Sequence, residues 1–163
     1  MKTLLFLRHA KSSWSHPELS DHERPLNKRG KRDAPRMGEL IKQLDLVPEV
    51  IMSSTARRAQ QTAERVAQAS GFDGSILLVP EFYHGGTETF FELLREVPDD
   101  VQRVMIIGHN PDLEEFLDEL TDGYTRMSTA ALAQVELPIQ RWGDFRETVS
   151  GKLVDVWYPR DIS

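Results

Sequence analysis

Short apolar runs alternate with amphipathic stretches along the first two thirds of this chain. Brief, partly β-branched apolar runs are typical of strands that are buried on both faces of a sheet. Between these runs, apolar residues recur at i, i+3, i+4 and i+7, which is the spacing of one buried helix face. The predicted strands are Thr3–Leu7, Val50–Met52, Ile76–Val79 and Arg103–Ile107.

Helices are predicted between and after these strands. A helix from about Thr55 to Ser70 can end at Gly71, and in the last helix Asn110 is a predicted N-cap with Pro111 at the first helical position. Strands that alternate with helices predict parallel pairing, with helices on both faces of the sheet. The remaining apolar stripes are Met37, Leu40, Ile41 and Leu44; Phe90, Leu93, Leu94 and Val97; and Leu113, Phe116, Leu117 and Leu120.

The C-terminal third has a different pattern. Thr129–Leu137 and Lys152–Tyr158 alternate apolar and polar residues, and the Trp142-Gly143-Asp144 region can turn the chain between them. These segments predict two further strands that form a hairpin-like end of the sheet. We therefore predict a single domain, residues 1–163, with an α/β fold: a three-layer α/β/α sandwich with a mostly parallel, mixed central sheet.

Composition narrows the possible functions. The chain has no cysteine, which excludes thiolate catalysis and disulfides and fits a reducing compartment. A net charge of −6 disfavours nucleic acid or an anionic membrane as a partner, so an anionic substrate would need a local cationic cluster. The apolar run Leu4–Leu7 is shorter than the ~7–15 residues of a secretory signal core, which predicts a cytoplasmic protein.

Polar, mostly cationic groups stand directly after three of the predicted strands. Because the carboxyl ends of parallel strands lie along one edge of a sheet, these groups are expected to converge there. Arginine forks and histidines suit a phosphoryl group, and a deprotonated histidine can accept it covalently. The segments are Arg8-His9, Ser53–Thr62 with Arg57 and Arg58, and Gly108–Pro111 with His109.

The same segments carry a resemblance to a known family. Leu7-Arg8-His9-Ala10-Lys11-Ser12 resembles the Arg-His-Gly motif of the histidine phosphatase superfamily, which includes phosphoglycerate mutases. Within it, the chain is most similar to the small phosphohistidine phosphatases of the SixA type. Supporting features are Asp21-His22-Glu23-Arg24-Pro25-Leu26 with Gly30, the segment Ser54–Thr62, and Gly108-His109.

The resemblance implies a phosphoglycerate mutase-like fold and a role for each matching residue. His9 would be the phosphorylated nucleophile, and Arg8 and His109 would bind the phosphoryl oxygens. The second arginine of the family matches Arg58, which precedes Ala59-Gln60-Gln61-Thr62, and Arg57 is its solvated neighbour.

The long loop Ser12–Asn27 holds two further candidates for substrate binding. Ser15 either contacts substrate or caps the turn after the first strand. Arg24 either contacts substrate or closes the loop through Asp21.

This chain departs from the family pattern at two places. Ala10 stands where the motif has glycine, a small change. The larger departure concerns the general acid, for which Glu81 is one candidate and His84 occupies a second position. The resemblance to the SixA type implies a third possibility, that no residue acts as the acid. A phosphoramidate leaves more readily than an alkoxide, so its cleavage depends less on protonation.

We therefore expect a metal-independent phosphatase with a phosphohistidine intermediate that acts on phosphohistidine in a protein partner. A phosphatase for small phosphate esters is the alternative within the superfamily, and a non-catalytic phosphate-binding module is the alternative outside it. No cofactor or metal is expected, because the five histidines lack paired ligand spacing and adjacent arginines would repel a cation.

Overall fold

The apolar run that opens the chain forms a central strand of a six-stranded mixed sheet. The computed structural model describes residues 1–162. The strands are β1 (Lys2–Arg8), β2 (Val50–Ser54), β3 (Ile76–Val79), β4 (Arg103–Gly108), β5 (Leu132–Leu137) and β6 (Lys152–Trp157). The strand order is β3-β2-β4-β1-β5-β6; the first four strands in this order are parallel, and β5 and β6 are antiparallel to their neighbours.

Four α-helices follow the predicted stripes and cover the sheet. Helix α1 begins well before its apolar stripe, because the Asn27 side chain accepts a hydrogen bond from the Gly30 N–H and caps the helix there. Helix α2 ends at Gly71, which adopts the left-handed conformation (φ 78°). The helices are α1 (Lys28–Gln43), α2 (Arg57–Ser70), α3 (Thr87–Leu94) and α4 (Asp112–Thr121).

Alternate residues of β1 enter two separate cores. Leu4 and Phe6 pack with residues of α3 and α4, whereas Leu5 and Leu7 pack with residues of α1 and α2. Helices therefore lie on both faces of the sheet, and the predicted α/β/α sandwich is confirmed. None of the helices in residues 1–162 has the length and apolar character needed to cross a bilayer.

Several predicted element boundaries differ from the structure by one to three residues, and two of these differences bear on the site. Helix α4 begins at Asp112, so Pro111 is its N-cap residue, and the Asn110 amide instead donates to the Met127 carbonyl at 3.0 Å. Strand β5 begins at Leu132, not Thr129. Ala130, with φ 62°, donates its N–H to the carbonyls of Arg8 and His9 and so does not join the regular strand ladder.

Candidate active site

A pocket of about 310 Å³ opens at the carboxyl ends of β1, β2 and β4. The parallel register of these strands brings together segments that are about 50 residues apart in the chain, as the sequence predicted for this edge. The lining contains four cationic side chains and three histidines, and none of the described residues that line it is a carboxylate. The lining residues are Arg8, His9, Lys11, Ser12, Trp14, Arg24, Arg58, His84, His109, Asn110 and Thr129.

His9 is buried beside these cations, with 7% of its surface exposed. Its Nδ1 atom lies 2.7 Å from the Ala10 carbonyl oxygen, and a carbonyl can only accept, so Nδ1 carries the proton. Burial, together with the charges of Arg58, Arg8 and Arg24, lowers the pKa of His9 to about 3. The ring is therefore neutral near pH 7, and its Nε2 lone pair is available for nucleophilic attack.

His109 faces His9, with ring centroids 5.0 Å apart. Its Nε2 atom lies 2.8 Å from the Ser54 hydroxyl oxygen, and its buried Nδ1 has no partner among the described residues. Burial is the main cause that lowers the pKa of His109 to about 2, and the nearby His9 and Arg58 add to it. Two neutral imidazoles thus lie side by side at the base of the pocket.

Asp21 holds two of the arginines in place. Its carboxylate accepts from Arg24 Nη1 at 2.8 Å and from Arg58 Nη2 at 3.0 Å, and its backbone carbonyl accepts from Arg58 Nη1 at 2.7 Å. The Tyr83 hydroxyl donates to the same carboxylate at 2.6 Å and is the largest cause that holds the pKa of Asp21 well below its usual range. Asp21 is therefore ionised and orients both guanidinium groups.

Arg24 both closes the loop and reaches the pocket, so its two proposed roles are compatible. Arg24 Nε donates to the Ser13 carbonyl at 3.1 Å, Nη2 donates to the Ser12 hydroxyl, and the guanidinium lies 3.3 Å from the centroid of the Trp14 ring. Only 8% of Arg24 is exposed. These contacts fix a long loop side chain against the site.

Arg8 and the loop after His9 are held by a backbone carbonyl and by a side-chain hydroxyl from other segments of the chain. Arg8 Nη1 donates to the Met127 carbonyl at 3.1 Å, and the buried Arg8 Nε has no partner among the described residues. The Thr62 hydroxyl accepts from the Ala10 N–H at 3.0 Å and donates to the Arg58 carbonyl at 2.7 Å. Thr62 therefore links the His9 segment to the helix that carries Arg58.

Three of the candidates from the sequence lie outside this pocket. Arg57 is exposed and lines a neighbouring groove, as does Ser15, whose hydroxyl lies 2.8 Å from that of Ser13. Glu81 is exposed in a 3₁₀ turn, Pro80–Phe82, and does not line the pocket. Arg8, His9, Arg24, Arg58 and His109 all line it.

His84, the second candidate for the general acid, lines the pocket. Its backbone is left-handed, with φ 63°, and its ring centroid lies 5.4 Å from that of His109. Asp112 accepts from the Gly86 N–H at 3.1 Å, and a Cβ atom at Gly85 would lie 2.0 Å from the Glu81 carbonyl oxygen. These contacts pack the backbone that follows His84, and the exposed His84 ring also lies 4.5 Å from the ring centroid of Tyr83.

Sequence reasoning gave Asp21 only a contact with Arg24, and it assigned no role to Ser54 or Thr129, which also belong to the site. Asp21 had a usable signal, since it precedes Arg24 by three residues inside the matching motif. Ser54 ends β2, two residues beyond the predicted end of that strand at Met52, and a strand end is the usual position of a site residue in such a sheet. Thr129 lines the pocket from a turn, and no pattern in the sequence distinguishes it.

The residues present suit an anion better than a cation. Among residues 1–162, no group of three or more histidine, aspartate or glutamate side chains is arranged to hold a metal ion. The unpartnered donor Arg8 Nε and the guanidinium groups of Arg24 and Arg58 instead match the oxygens of a tetrahedral anion. The fold and the pocket together define an α/β protein with a cationic pocket built around a neutral histidine.

Comparison with known proteins identifies the family. Residues 4–110 match the model of the histidine phosphatase superfamily (branch 1), and the chain belongs to this superfamily. A candidate phosphohistidine phosphatase SixA from Agrobacterium tumefaciens is 29% identical, with a TM-score of 0.81 over 97% of this chain and 98% of that one. A second candidate SixA, from Nakamurella multipartitia, is 25% identical, with a TM-score of 0.85 over 97% and 96% of the two chains.

An uncharacterized chloroplastic protein of Arabidopsis thaliana is also similar in sequence. It is 33% identical over 144 residues, which are 82% of this chain. The match spans 66% of the length of the Arabidopsis protein.

Proposed function

We propose that this chain, residues 1–163, acts as one histidine phosphatase domain that hydrolyses phosphohistidine on a protein partner without a metal. The observation that carries the proposal is the neutral, buried His9, whose Nδ1 donates a hydrogen bond to the Ala10 carbonyl. The same pocket also contains Arg8, Arg58 and His109. These groups supply a nucleophile and the donors that stabilise the equatorial oxygens of a transferring phosphoryl group.

The reaction would proceed in two displacements. His9 Nε2 attacks phosphorus, the phosphorus–nitrogen bond of the substrate breaks, and the substrate imidazole leaves with a proton from solvent. Water then attacks phosphorus of phospho-His9, the bond to Nε2 breaks, and inorganic phosphate leaves while the neutral ring is restored. Arg8, Arg58 and His109 would bind the oxygens in both steps.

A phosphoramidate substrate is favoured over an ester by the composition of the pocket. None of the described residues that line it is a carboxylic acid, and an alkoxide leaving group depends on such an acid more than an imidazole does. Lys11 and Trp14 on the lining are exposed to solvent, which suits a phosphorylated side chain carried by a macromolecule. Likeness to the two candidate phosphohistidine phosphatases is consistent with this substrate class.

The test compares hydrolysis of a phosphohistidine-bearing protein with hydrolysis of a panel of phosphate esters, with a chelator present. We expect preferential turnover of the phosphoramidate, and an acid-labile phosphoenzyme that is absent from His9→Ala. Loss of the nucleophile should lower kcat by about 10⁴-fold or more. Absence of turnover on every substrate, with phosphopeptide binding retained in His9→Ala, would instead identify a binding module.

A phosphatase for small esters is a second candidate, because His84 lines the pocket and could protonate a leaving alkoxide. This function requires faster turnover of one ester than of phosphohistidine. It also requires that His84→Gln slow the ester reaction selectively. Equal effects of His84→Gln on both substrate classes would exclude a proton-donor role for His84.

A further inference from the structure

A second concave surface lies beside the candidate active site and has no part in the chemistry above. We call it the cationic groove: it has a volume of about 480 Å³, and Lys28, Lys31 and Arg57 supply its positive charge. Its apolar base includes Leu19, Pro25 and Leu26.

A single segment of the chain, Ser12–Ser15, lies between the cationic groove and the pocket. Ser12 and Trp14 line the pocket, whereas the alternating residues Ser13 and Ser15 line the groove. The same change of side occurs in α2, where Arg58 lines the pocket and its neighbour Arg57 lines the groove. A ligand bound at His9 would therefore be immediately adjacent to the groove.

The cationic groove is unusual in a protein of net charge −6. Lys28, Lys31 and Arg57 are exposed, and none of them forms an ion pair in the part of the chain that the structure describes. No carboxylate is among the described residues that line the groove. Two carboxylates lie close to this surface: Glu18 is 3.6 Å from His16, which lines the groove, and Glu23, which accepts from the Ser20 hydroxyl at 2.8 Å, lines an adjoining cavity together with Arg57.

The wall between the two cavities ends in an exposed aromatic side chain. Trp14 is 75% exposed, and the guanidinium of Arg24 stacks on its ring. Tryptophan and arginine are enriched where proteins bind other proteins, because they offer a large contact area at low entropic cost. A chain that enters the pocket would pass over Trp14 to reach the groove.

We propose that the cationic groove docks acidic side chains that flank the phosphohistidine of the partner protein. This inference rests on the function proposed above and specifies the substrate. A ligand must extend from the pocket across Trp14 to reach Lys28 and Lys31, which suits a polypeptide. Exposed lysines attract carboxylates mainly through long-range charge, so the groove should act on substrate capture and be sensitive to salt.

The experiment uses two phosphohistidine peptides of equal length, one with glutamates and one with glutamines at the flanking positions, together with free phosphohistidine. The enzymes are the wild type, the double variant Lys28→Ala/Lys31→Ala, and the control Lys42→Ala, an exposed lysine at the other end of α1. Each kcat/KM is measured at low and at high ionic strength.

In the wild type at low salt, we expect the glutamate peptide to exceed the glutamine peptide by about tenfold in kcat/KM. The double variant should reduce this ratio to about twofold, mostly through KM, and added salt should do the same. Lys42→Ala should keep the wild-type ratio, and all three enzymes should hydrolyse free phosphohistidine equally.

Other results separate failure of this inference from failure of the proposed function. Hydrolysis of both peptides at equal rates, or a ratio unchanged in the double variant, would overturn the docking role and leave the phosphatase intact. No hydrolysis of any phosphohistidine substrate by the wild type would overturn both. A preference for a small doubly phosphorylated ester, lost in the double variant, would assign the groove to a second phosphate group and also overturn the docking role.

Discussion

His109 Nε2 and the Ser54 hydroxyl oxygen lie 2.8 Å apart in the buried base of the pocket. The same hydroxyl oxygen accepts the Ala56 N–H at 3.1 Å, so its own proton is free to be donated. Donation to Nε2 leaves the proton of neutral His109 on Nδ1, the ring nitrogen that has no partner among the described residues. Ser54 is thus positioned to select the tautomer in which His109 can donate to a phosphoryl oxygen.

Ser54→Ala should therefore weaken turnover without removing any group that contacts the phosphate. We expect kcat to fall by about tenfold with a smaller change in KM, because the His109 donor would be present in only part of the molecules. Nitrogen NMR of the ring should show one tautomer in the wild type and a mixture in the variant. Ser54→Thr keeps the hydroxyl and should restore both the wild-type kcat and the single tautomer. Observation of the same single tautomer in Ser54→Ala would contradict the role of Ser54.

Stability should fall as the pH is lowered through the range in which exposed histidines titrate. The pKa values of His9 and His109 are lowered to about 3 and about 2 in the folded state, whereas an unfolded chain has a histidine pKa of about 6.5. Below pH 6.5 the unfolded state binds more protons, so each ring lowers the free energy of unfolding by up to about 1.4 kcal/mol per pH unit. Above about pH 7.5 these two groups contribute no pH dependence.

Urea unfolding at pH 7.5 and pH 5.0 measures this effect. The two histidines together should account for a loss of up to about 4 kcal/mol. The variant His9→Gln/His109→Gln should lose most of the pH dependence, whereas His16→Gln, at an exposed position, should retain it. Equal pH dependence in all three proteins would show that the two rings are not buried in the neutral form.

Arg58 should tolerate even a charge-conserving substitution poorly. Its guanidinium donates from two nitrogens to the carbonyl and the carboxylate of Asp21, and a single ammonium cannot reproduce this planar arrangement. We expect Arg58→Lys to lower kcat/KM for free phosphohistidine by about 10- to 100-fold.

Arg57→Lys is the matched comparison, since Arg57 is the adjacent residue of α2 but lies outside the pocket. The change should stay within about twofold on the same small substrate. A larger effect at Arg57 than at Arg58 would reverse the assignment of the phosphate-binding arginine.

The pocket predicts different outcomes for the two groups once considered as the general acid. Glu81→Gln should leave the hydrolysis of both esters and phosphohistidine unchanged, because Glu81 is exposed and does not line the pocket. His84→Gln should slow ester hydrolysis by about tenfold or more and phosphohistidine hydrolysis much less, because an imidazole leaves with less assistance. Steady-state kinetics on one substrate of each class tests both expectations. A large fall in kcat for Glu81→Gln would show that the loop moves Glu81 into the site during turnover.

The alternation of apolar and polar residues determined the fold class of this protein. The four parallel strands, the two C-terminal strands and the four helices all follow from local hydrophobic spacing, because each element must bury one face or stripe. The strand-end rule also placed Arg8, His9, Arg58 and His109 at one edge of the sheet, and the family resemblance assigned them roles. The cap at Asn110 failed because α4 begins one residue later than predicted: the Asn110 amide nitrogen donates to the Met127 carbonyl, and its Oδ1, the atom that would cap the helix, has no partner among the described residues.

Tertiary structure alone decided how these groups are oriented and which neighbours join them. Asp21 binds Arg58 across 37 positions of sequence, and Ser54 meets His109 across 55, so no local pattern reports either contact. His84 lines the pocket and Glu81 does not, and Arg58 lines it whereas Arg57 lines the groove. The direction in which the folded backbone points each side chain decides both differences. Sequence fixes which elements form because burial is a local pattern, whereas the chemistry of the site depends on long-range packing that sets distance and desolvation.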